Sequence, residues 1–483
     1  MDAGGICEAA ICYTGDILDP KRDKYSLEYY VKMAKELERM GTHILAIKDM
    51  AGLLKPFAAR KLIKALREEV GVPIHFHTHD TAGVQAASIL MGSEAGVNIV
   101  DGAISSMSSM TSQPNLNSIV AALAHTPRET GLDAVALEDL SDYWEAVRRY
   151  YQPFEEGMLA PTTSVYEHEM PGGQYTNLRV QAKSLGLESR WTEIAHAYAA
   201  VNRLFGDIVK VTPSSKIVGD MALFMVTNHL TPEAVLDETR HLAFPKSVVE
   251  FFRGEIGQPA GGFPKKLQKI ILNGEQPLKG RPGARAEKID LGETTKELEA
   301  KVHHEVSETQ LASYLMYPQV YLEFDKFVRA YGDVSTVPTI SFFYGLKAYQ
   351  EVPIEIEPGK TLQVKFLTVG DADPDGMVTV FFELNGQPRE VKVQDRKSGI
   401  KPRAAAPKAE PGNVNHVGAP MPGKVTSIAV AVGQTISKGA KLLAIEAMKM
   451  ETAVYSPRDG RVAKILVQPG SAAAAGDLLV EIE

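Results

Sequence analysis

Hydrophobic and polar positions along the first 125 residues follow a strand-then-helix order. Short apolar runs at residues 6–13, 43–47, 73–77 and 97–103 are typical of buried strands. Between them, residues 27–40 and 56–69 carry apolar side chains at helical spacing. This alternation predicts a parallel sheet covered by helices. Four such units make half of an eight-stranded barrel, which usually needs about 250 residues. We therefore predict a partial TIM (β/α) barrel over residues 1–125.

The pattern changes twice after the barrel. Residues 126–345 show mostly helical spacing, clearest at 137–151, 192–204 and 216–228, and predict a helical extension. Residues 346–400 show short alternating runs with turn signals such as Asn385-Gly386, and predict a small β-rich module. Residues 401–416 contain three prolines and no apolar period, so we interpret them as a mobile linker. A last domain at 417–483 makes the fold class multidomain, part α/β and part all-β.

An internal repeat marks that last domain. Residues 423–446 and 460–483 are both 24 residues long, align without a gap and share nine identical positions. Apolar residues alternate within each copy, and the turn glycines recur. Such a repeat predicts two matching β-units packed face to face in a β-sandwich. Lys449, in Ala447-Met448-Lys449-Met450, lies between the copies on a predicted exposed hairpin tip. It is either a modification site or an ordinary solvated charge.

Composition excludes some classes of function. The net charge is −8 and no basic block is present, so the pattern predicts no nucleic-acid partner. No apolar run approaches the ~18 residues that a membrane-spanning helix needs. The first residues, MDAGGICEAA, lack the features of a signal peptide. Cys7 and Cys12 lie in one apolar run and are interpreted as reduced, buried residues of a cytoplasmic protein.

Three histidines alternate at the end of the third predicted strand, as His75, His77 and His79. Alternate residues of a strand share a face, and imidazole is a common ligand of zinc-like ions. This spacing therefore indicates a metal site, the alternative being hydrogen-bonded histidines at a strand end. Lys48 ends the preceding strand. Its ammonium cannot ligate a metal, but a carbamate formed with CO₂ could; the alternative is an ion pair with Asp49 or Asp80.

The segment Val211-Thr212-Pro213-Ser214-Ser215-Lys216 holds a third candidate. Ser214 or Ser215 is expected to cap the helix that follows. The hydroxyl of Thr212 can both donate and accept a hydrogen bond. That property suits a residue that relays a proton between two bound groups.

The Ala-Met-Lys-Met motif resembles the biotin carrier domain of biotin-dependent carboxylases, and all four residues match. The resemblance implies covalent biotin on Lys449, attached by a biotin protein ligase. Lipoyl carriers share the architecture but lack the Met-Lys-Met pair.

The whole chain resembles the C-terminal part of the pyruvate carboxylase family, with residues 1–345 similar to the second half of its carboxyltransferase domain. The resemblance implies that Lys48, as a carbamate, His77 and His79 hold Zn²⁺ or Mn²⁺. It also implies that residues 346–398 belong to an allosteric and tetramerisation region, and that the full-length protein is a homotetramer.

The same resemblance assigns roles to the third candidate segment. Thr212 matches the threonine that exchanges a proton between biotin and pyruvate, and Ser215 and Lys216 match residues of the biotin pocket. The implied reaction is carboxyl transfer from carboxybiotin on Lys449 to pyruvate, giving oxaloacetate, the anaplerotic reaction that also feeds gluconeogenesis.

Several parts of that family's pattern are missing. The biotin carboxylase region and the first half of the barrel are absent, and with them an aspartate metal ligand and the arginine and glutamine that bind pyruvate. We therefore expect the chain to be a fragment that is inactive alone. One alternative is the carboxyltransferase subunit of an oxaloacetate decarboxylase or transcarboxylase, which tends to carry Gln in place of Lys216. Another is a non-catalytic biotin carrier and assembly subunit of a split enzyme.

Overall fold

The computed structural model describes residues 4–371, 377–394, 407–410, 412–447 and 450–483. Lys449, the predicted biotin attachment site, lies outside these described residues together with Met448. The chain divides into two compact units, Met1–Ala284 with Ala406–Glu483 and Arg285–Ala405.

The first unit opens with a parallel four-stranded sheet in the order β1-β2-β3-β4. Its strands and covering helices are β1 (Glu8–Cys12), α1 (Leu27–Arg39), β2 (Ile44–Asp49), α2 (Pro56–Glu69), β3 (Ile74–Thr78), α3 (Gln85–Ala95), β4 (Ile99–Val100) and α4 (Leu116–Leu123). One face packs on the helices, where Ile11, Ile47 and Phe76 are fully buried. The alternating residues therefore lie on the other face.

Local signals explain where these elements begin and end. The Ser26 side chain accepts a hydrogen bond from the Tyr29 N–H and caps α1, while Pro56 occupies the first turn of α2. Strand β4 is shorter than its predicted run: it pairs with β3 at two positions and ends at Val100, and Ala103 then bridges Asn115 outside the named strands. Cys7 and Cys12 are free thiols, but both are partly exposed rather than buried as predicted.

Between the parallel sheet and the second unit, the chain is helical. They are α5 (Ala134–Tyr151), α6 (Val165–His168), α7 (Gly172–Ser184), α8 (Trp191–Leu204), α9 (Ser214–Thr227), α10 (Pro232–Val235), α11 (Lys246–Arg253) and α12 (Lys265–Leu272). Helix α9 is the central one, because nearly all of its residues from Ser215 to Val226 are buried. It packs on α8, α7 and α11 around a second apolar core that includes Leu178, Tyr198 and Phe252.

The carrier sandwich completes the first unit. Its strands are β9 (His416–Gly418), β10 (Gly423–Ile428), β11 (Thr435–Ile436), β12 (Lys441–Ala447), β13 (Met450–Tyr455), β14 (Gly460–Ile465), β15 (Ala472–Ala473) and β16 (Leu478–Ile482). They form two four-stranded sheets, β13-β12-β10-β15 and β11-β14-β16-β9. Val425 pairs with Ile445 in one sheet, and the repeat-equivalent Val462 pairs with Ile482 in the other. All four side chains are buried, so the internal repeat corresponds to two matching β-units.

The described residues of the second unit form four α-helices followed by a four-stranded antiparallel sheet. Its elements are α13 (Leu291–Val302), α14 (Glu308–Met316), α15 (Pro318–Tyr331), α16 (Thr339–Tyr344), β5 (Glu351–Glu357), β6 (Lys360–Val369), β7 (Met377–Leu384) and β8 (Gln387–Gln394). The predicted turn Asn385-Gly386 joins β7 to β8, and both residues have the positive φ that a two-residue hairpin turn requires. In neither unit do the described helices include one long and apolar enough to cross a membrane.

Candidate functional site

Lys48 and His77 lie side by side at the carboxyl ends of neighbouring strands. Parallel pairing of β2 with β3 places Lys48 opposite His77, and pairing of β1 with β2 places Cys12 opposite Lys48. Paired residues of adjacent strands point to the same face, so the three side chains form one row. All three are partly buried. The carboxyl ends of barrel strands are where active sites of this architecture gather.

The two candidate imidazoles each use Nδ1 in a hydrogen bond. His77 Nδ1 lies 2.7 Å from Asp101 Oδ2, and His79 Nδ1 lies 2.7 Å from the carbonyl oxygen of Thr111. The ring centroids are 5.3 Å apart. A proton on Nδ1 leaves the Nε2 lone pair of each ring available to a metal. Burial lowers the pKa of His79, against the effect of the Thr111 hydrogen bond, and so favours the neutral imidazole that ligation requires.

Among the described residues, Lys48 does not form the alternative ion pair with Asp49 or Asp80. The carboxylate of Asp49 is fully buried and accepts hydrogen bonds from the Leu53 and Leu54 N–H groups and from Thr78 Oγ1. Asp80 accepts from the Gln85 N–H. Within the described residues neither carboxylate pairs with Lys48. Its side chain is therefore available on the same face as His77.

Two histidines alone do not make a metal site. The described residues contain no group of three His, Cys, Asp or Glu side chains that could hold a metal ion. A carbamylated Lys48 would add oxygen ligands beside the two Nε2 atoms, and hard or borderline divalent ions accept such a mixed set. The residues present therefore fit a divalent metal, provided that the lysine is modified.

Helix α7 closes over His79. The Gly172 N–H at its start donates to the carbonyl oxygen of Met50 at 2.9 Å. A Cβ at Gly172 would lie 2.6 Å from the Thr111 carbonyl oxygen and 2.7 Å from His79 Nδ1. Only glycine allows this approach. The sequence reasoning did not identify Gly172, although Pro171-Gly172-Gly173 at the start of a helix was a usable signal.

Helix α9 brings the predicted biotin-pocket residues to α7. A Cβ at Gly219 would lie 2.5 Å from Gln174 Nε2, so the two helices are in close contact. Ser215 is buried, and Lys216 Nζ lies 2.5 Å from Asp220 Oδ2. The same oxygen accepts a hydrogen bond from Ser247 Oγ at 2.6 Å. Burial raises the pKa of Asp220, and Lys216 and Ser247 offset this only in part.

Thr212 is exposed just before α9, and its side chain makes no hydrogen bond to the described part of the chain. The expected serine cap is wrong. Pro213 is the capping residue, without a side-chain bond, and α9 begins at Ser214. The Ser214 hydroxyl instead accepts from the Val211 N–H and bonds to backbone carbonyls that precede it. That arrangement closes a tight loop around Thr212.

A buried ion network ties this loop to the end of β1. Lys210 Nζ, only 1% exposed, lies 2.9 Å from Glu169 Oε2 and 3.4 Å from Thr14 Oγ1. Arg22 pairs with the other oxygen of Glu169. Burial would raise the pKa of Glu169, but the two cations outweigh it and hold that pKa below its usual value. The sequence reasoning missed this network, although a lysine inside the apolar run Ile208-Val209-Lys210-Val211 was a signal.

The carrier sandwich contacts the helical region at α11. Thr452 of β13 forms an antiparallel bridge with Pro245, and Lys246 Nζ lies 3.7 Å from Glu451 Oε2. Ser247, the next residue, is the one that bonds Asp220. The carrier strand that follows the Lys449 motif therefore lies beside the candidate biotin pocket.

A second contact comes from the loop before β10. Met421 is 4% exposed and packs against Leu185 at the end of α7. Thr452 is fully buried and its Oγ1 lies 3.3 Å from Met421 Sδ. Both carrier contacts thus share Thr452.

Three family profiles match the chain. One described as HMGL-like covers residues 20–143, one described as a conserved carboxylase domain covers 165–365, and one described as a biotin-requiring enzyme covers 415–482. The last includes the carrier sandwich and supports covalent biotin as the cofactor.

Named relatives agree with these profiles. Pyruvate carboxylase of Bacillus subtilis is 49% identical over the full chain, which covers 42% of that relative. The chain thus spans about two fifths of the length of the curated relatives it matches. A carboxyl transferase domain of Rhizobium etli pyruvate carboxylase, solved with pyruvate and biocytin, is 54% identical with a TM-score of 0.78. The match covers 82% of this chain and 67% of that one.

The complete multifunctional pyruvate carboxylase of Rhizobium etli matches with a TM-score of 0.77 and 54% identity, over 82% of this chain and 39% of its own. Together the profiles and structures confirm the predicted fold class, a partial barrel with a helical extension and a biotin carrier. The roles of individual residues stay predictions.

Proposed function

Because the chain belongs to the pyruvate carboxylase family, we propose that it performs the carboxyl-transfer step of these enzymes. In this step the carboxyl group carried by biotin on Lys449 passes to pyruvate and gives oxaloacetate. One observation carries the proposal: a biotin-carrier sandwich lies against α11 in the same compact unit as the row of Lys48 and His77.

Lys48, His77 and His79 would hold the metal. A divalent ion bound there would supply a Lewis acid for the carbonyl of the substrate. The chain's own contribution is the geometry that prepares these ligands. The sheet aligns Lys48 with His77, and the Thr111 carbonyl oxygen holds the ring of His79.

Thr212 would move the proton. Its hydroxyl would accept a proton from the methyl group of pyruvate and donate one to the biotin ring nitrogen that loses its carboxyl group. Its exposure, with no hydrogen bond to the described residues, leaves the hydroxyl available to two bound groups. The Lys210–Glu169 pair anchors the loop two residues away, which limits the positions that the hydroxyl can take.

Ser215 and Lys216 would bind the biotin ring. Lys216 is the cation of this pocket, and Asp220 with Ser247 fixes its position. The ring system carries a polar carbonyl oxygen that a lysine and a serine hydroxyl can both bind. Because Ser247 lies in the helix that the carrier contacts, the carrier would dock next to the group that its cofactor needs.

The proposal also includes further partners, since the chain spans about two fifths of the length of its relatives. A biotin protein ligase would acylate Lys449, and an ATP-dependent biotin carboxylase region would charge the biotin. A complementary half-barrel would complete the pyruvate site, and the complete assembly would be a cytoplasmic homotetramer. Each of these is part of the proposal.

Two measurements test the function. The chain is first produced with a biotin ligase and its peptides are mapped by mass spectrometry, with K449R as the test variant and K438R, an exposed lysine of the same domain, as the control. We expect biotin on wild type and K438R and none on K449R. Biotin elsewhere, or none, would reject the carrier role.

The second measurement is oxaloacetate formation. The biotinylated chain is combined with the N-terminal region of the Bacillus subtilis relative, and ATP, bicarbonate and pyruvate are supplied. We expect oxaloacetate only with both polypeptides and only with Lys449 intact, and a large loss in T212A. A biotinylated mixture that is well folded but makes no oxaloacetate would contradict the carboxyl-transfer proposal and leave only a carrier.

A further inference from the structure

His75 is the third member of the histidine motif, and the proposed function gives it no role. Both of its ring nitrogens face carboxylates. Nδ1 lies 3.1 and 3.2 Å from the two oxygens of Glu8. Nε2 lies 3.0 Å from Asp101 Oδ1, a close ionic contact that does not count as a hydrogen bond. With a carboxylate at each nitrogen, this ring is unsuited to binding a metal.

Asp101 joins that ring to a candidate ligand. Its Oδ1 faces His75, while its Oδ2 lies 2.7 Å from His77 Nδ1. The residue follows β4 directly, and so reaches across the end of β3 to both histidines. The two oxygens of one carboxyl group are thus directed at two different imidazole rings.

We propose that Glu8, His75 and Asp101 form an outer chain that orients His77 for metal binding, with Asp101 as the positioning residue. This inference rests on the proposed function, in which His77 is a ligand. Asp101 accepts a hydrogen bond from the Nδ1–H of His77, which fixes the tautomer and leaves the Nε2 lone pair directed away from the carboxylate. Through His75, Glu8 holds Asp101 in the orientation that this bond requires.

The geometry explains why such a chain is needed at His77 and not at His79. His79 is held by a backbone carbonyl oxygen, which the fold keeps in place. Among the described residues, the ring of His77 is held by the side chain of Asp101, which is 38% exposed. Water would compete for an aspartate at that exposure. His75, whose side chain is 16% exposed, covers the other oxygen and restricts the rotation of the carboxylate.

The test measures metal affinity. Zn²⁺ is titrated into the purified chain against a chromophoric chelator, in bicarbonate buffer so that Lys48 can be carbamylated. D101N keeps the shape and removes the charge, and we expect its affinity to fall about 10- to 100-fold. H75Q should cause a smaller loss. H77A serves as the reference for loss of a ligand, and D139N, an exposed aspartate of α5, as the matched control that changes nothing.

The outcomes distinguish a failure of this inference from a failure of the proposed function on which it rests. Equal affinity in wild type and H77A would mean that His77 is not a ligand, and both would fail. A loss in H77A with D101N unchanged would overturn the inference alone. The metal-free melting temperature of D101N shows whether the variant folds. If it does not fold, H75Q decides, and an affinity within twofold of wild type would reject the outer chain.

Discussion

The Lys210–Glu169 pair should be among the costliest side-chain contacts to break in this protein. The side chains are 1% and 7% exposed and their charged atoms are 2.9 Å apart. Removing one member of a buried pair leaves the other charge without its partner, which usually costs about 3–5 kcal/mol. We consider K210M and E169Q, which remove one charge each with little change of volume.

The structure ranks the two variants. In K210M, Glu169 keeps its ion pair with Arg22, so we expect the lower end, about 3 kcal/mol. In E169Q, Lys210 loses its one charged partner among the described residues and keeps neutral acceptors, including Thr14 Oγ1 and the Ile208 carbonyl oxygen at 3.4 Å, so we expect about 5 kcal/mol. The double variant K210M/E169Q should cost less than the sum, because no buried charge of this pair then remains.

Urea unfolding followed by tryptophan fluorescence provides the assay. Both tryptophans, Trp144 and Trp191, lie in the first unit, so the signal reports on the unit that holds the pair. K35M is the control: Lys35 and Glu69 are only 2.5 Å apart, but they are 46% and 42% exposed. Solvent screens such a pair, and we expect less than about 1 kcal/mol.

The acid limb of the stability curve adds an independent readout. The pKa of Glu169 is held below its usual value in the folded state, against the effect of burial, by Lys210 and Arg22. The stability from this carboxylate is therefore present above the usual value of 4.5 and is lost as pH falls through the lower, folded value. K210M should lose less stability on acidification than wild type. A cost of K210M no larger than that of K35M would refute the reasoning.

Three further predictions concern other contacts. G172A should weaken Zn²⁺ binding at least about tenfold and destabilise the fold by about 1–3 kcal/mol through overpacking. The control G173A should do neither, because its added Cβ would meet nothing within 4 Å. Equal Zn²⁺ affinities of G172A and G173A would contradict this prediction. Burial lowers the pKa of His168 to about 4 from 6.5. The unfolded state therefore binds a proton that the folded state does not, and the free energy of unfolding should fall by about 2 kcal/mol between pH 7 and pH 5. In H168Q, urea unfolding midpoints should not show this decrease. K246E should lower the equilibrium constant for docking of the carrier on α11 about two- to fivefold at low salt, since exposed ion pairs contribute up to about 1 kcal/mol. The charge swap K246E/E451K should restore docking, measured by fluorescence transfer between the carrier and α11. If the swap does not restore docking, the ion pair does not stabilise it.

Local periodicity was enough to predict much of the fold. The runs that alternate apolar strands with amphipathic helices correspond to β1–β4 and their helices, because each pattern reflects which face of one element is buried. The carrier repeat predicted equivalent pairings, and Val425 with Ile445 and Val462 with Ile482 are such a pair of pairs. The same reasoning failed for the cap of α9, since Ser214 bonds backward to the loop and lies inside the helix.

In the candidate site too, local patterns predicted some features and tertiary structure decided the others. Alternation within one strand predicted a common face for the three histidines; His75 and His77 lie in β3, whereas β3 ends at Thr78 and His79 follows it. The position of Lys48 at the end of a predicted strand indicated that it would lie near them. The residue that lies opposite each of these side chains on the next strand depends on the register between two strands, which the pattern of one strand does not contain. Only the pairing of β2 with β3 sets Lys48 beside His77.

The contacts that hold the site in place come from tertiary structure alone. Asp101 reaches His77 across 24 residues of sequence, and Glu169 reaches Lys210 across 41. Gly172 lies against His79 because α7 begins beside that ring. A periodic pattern records how one element divides between core and solvent. It carries no information on which distant side chain will fill the remaining space, because the packing of several elements decides that together.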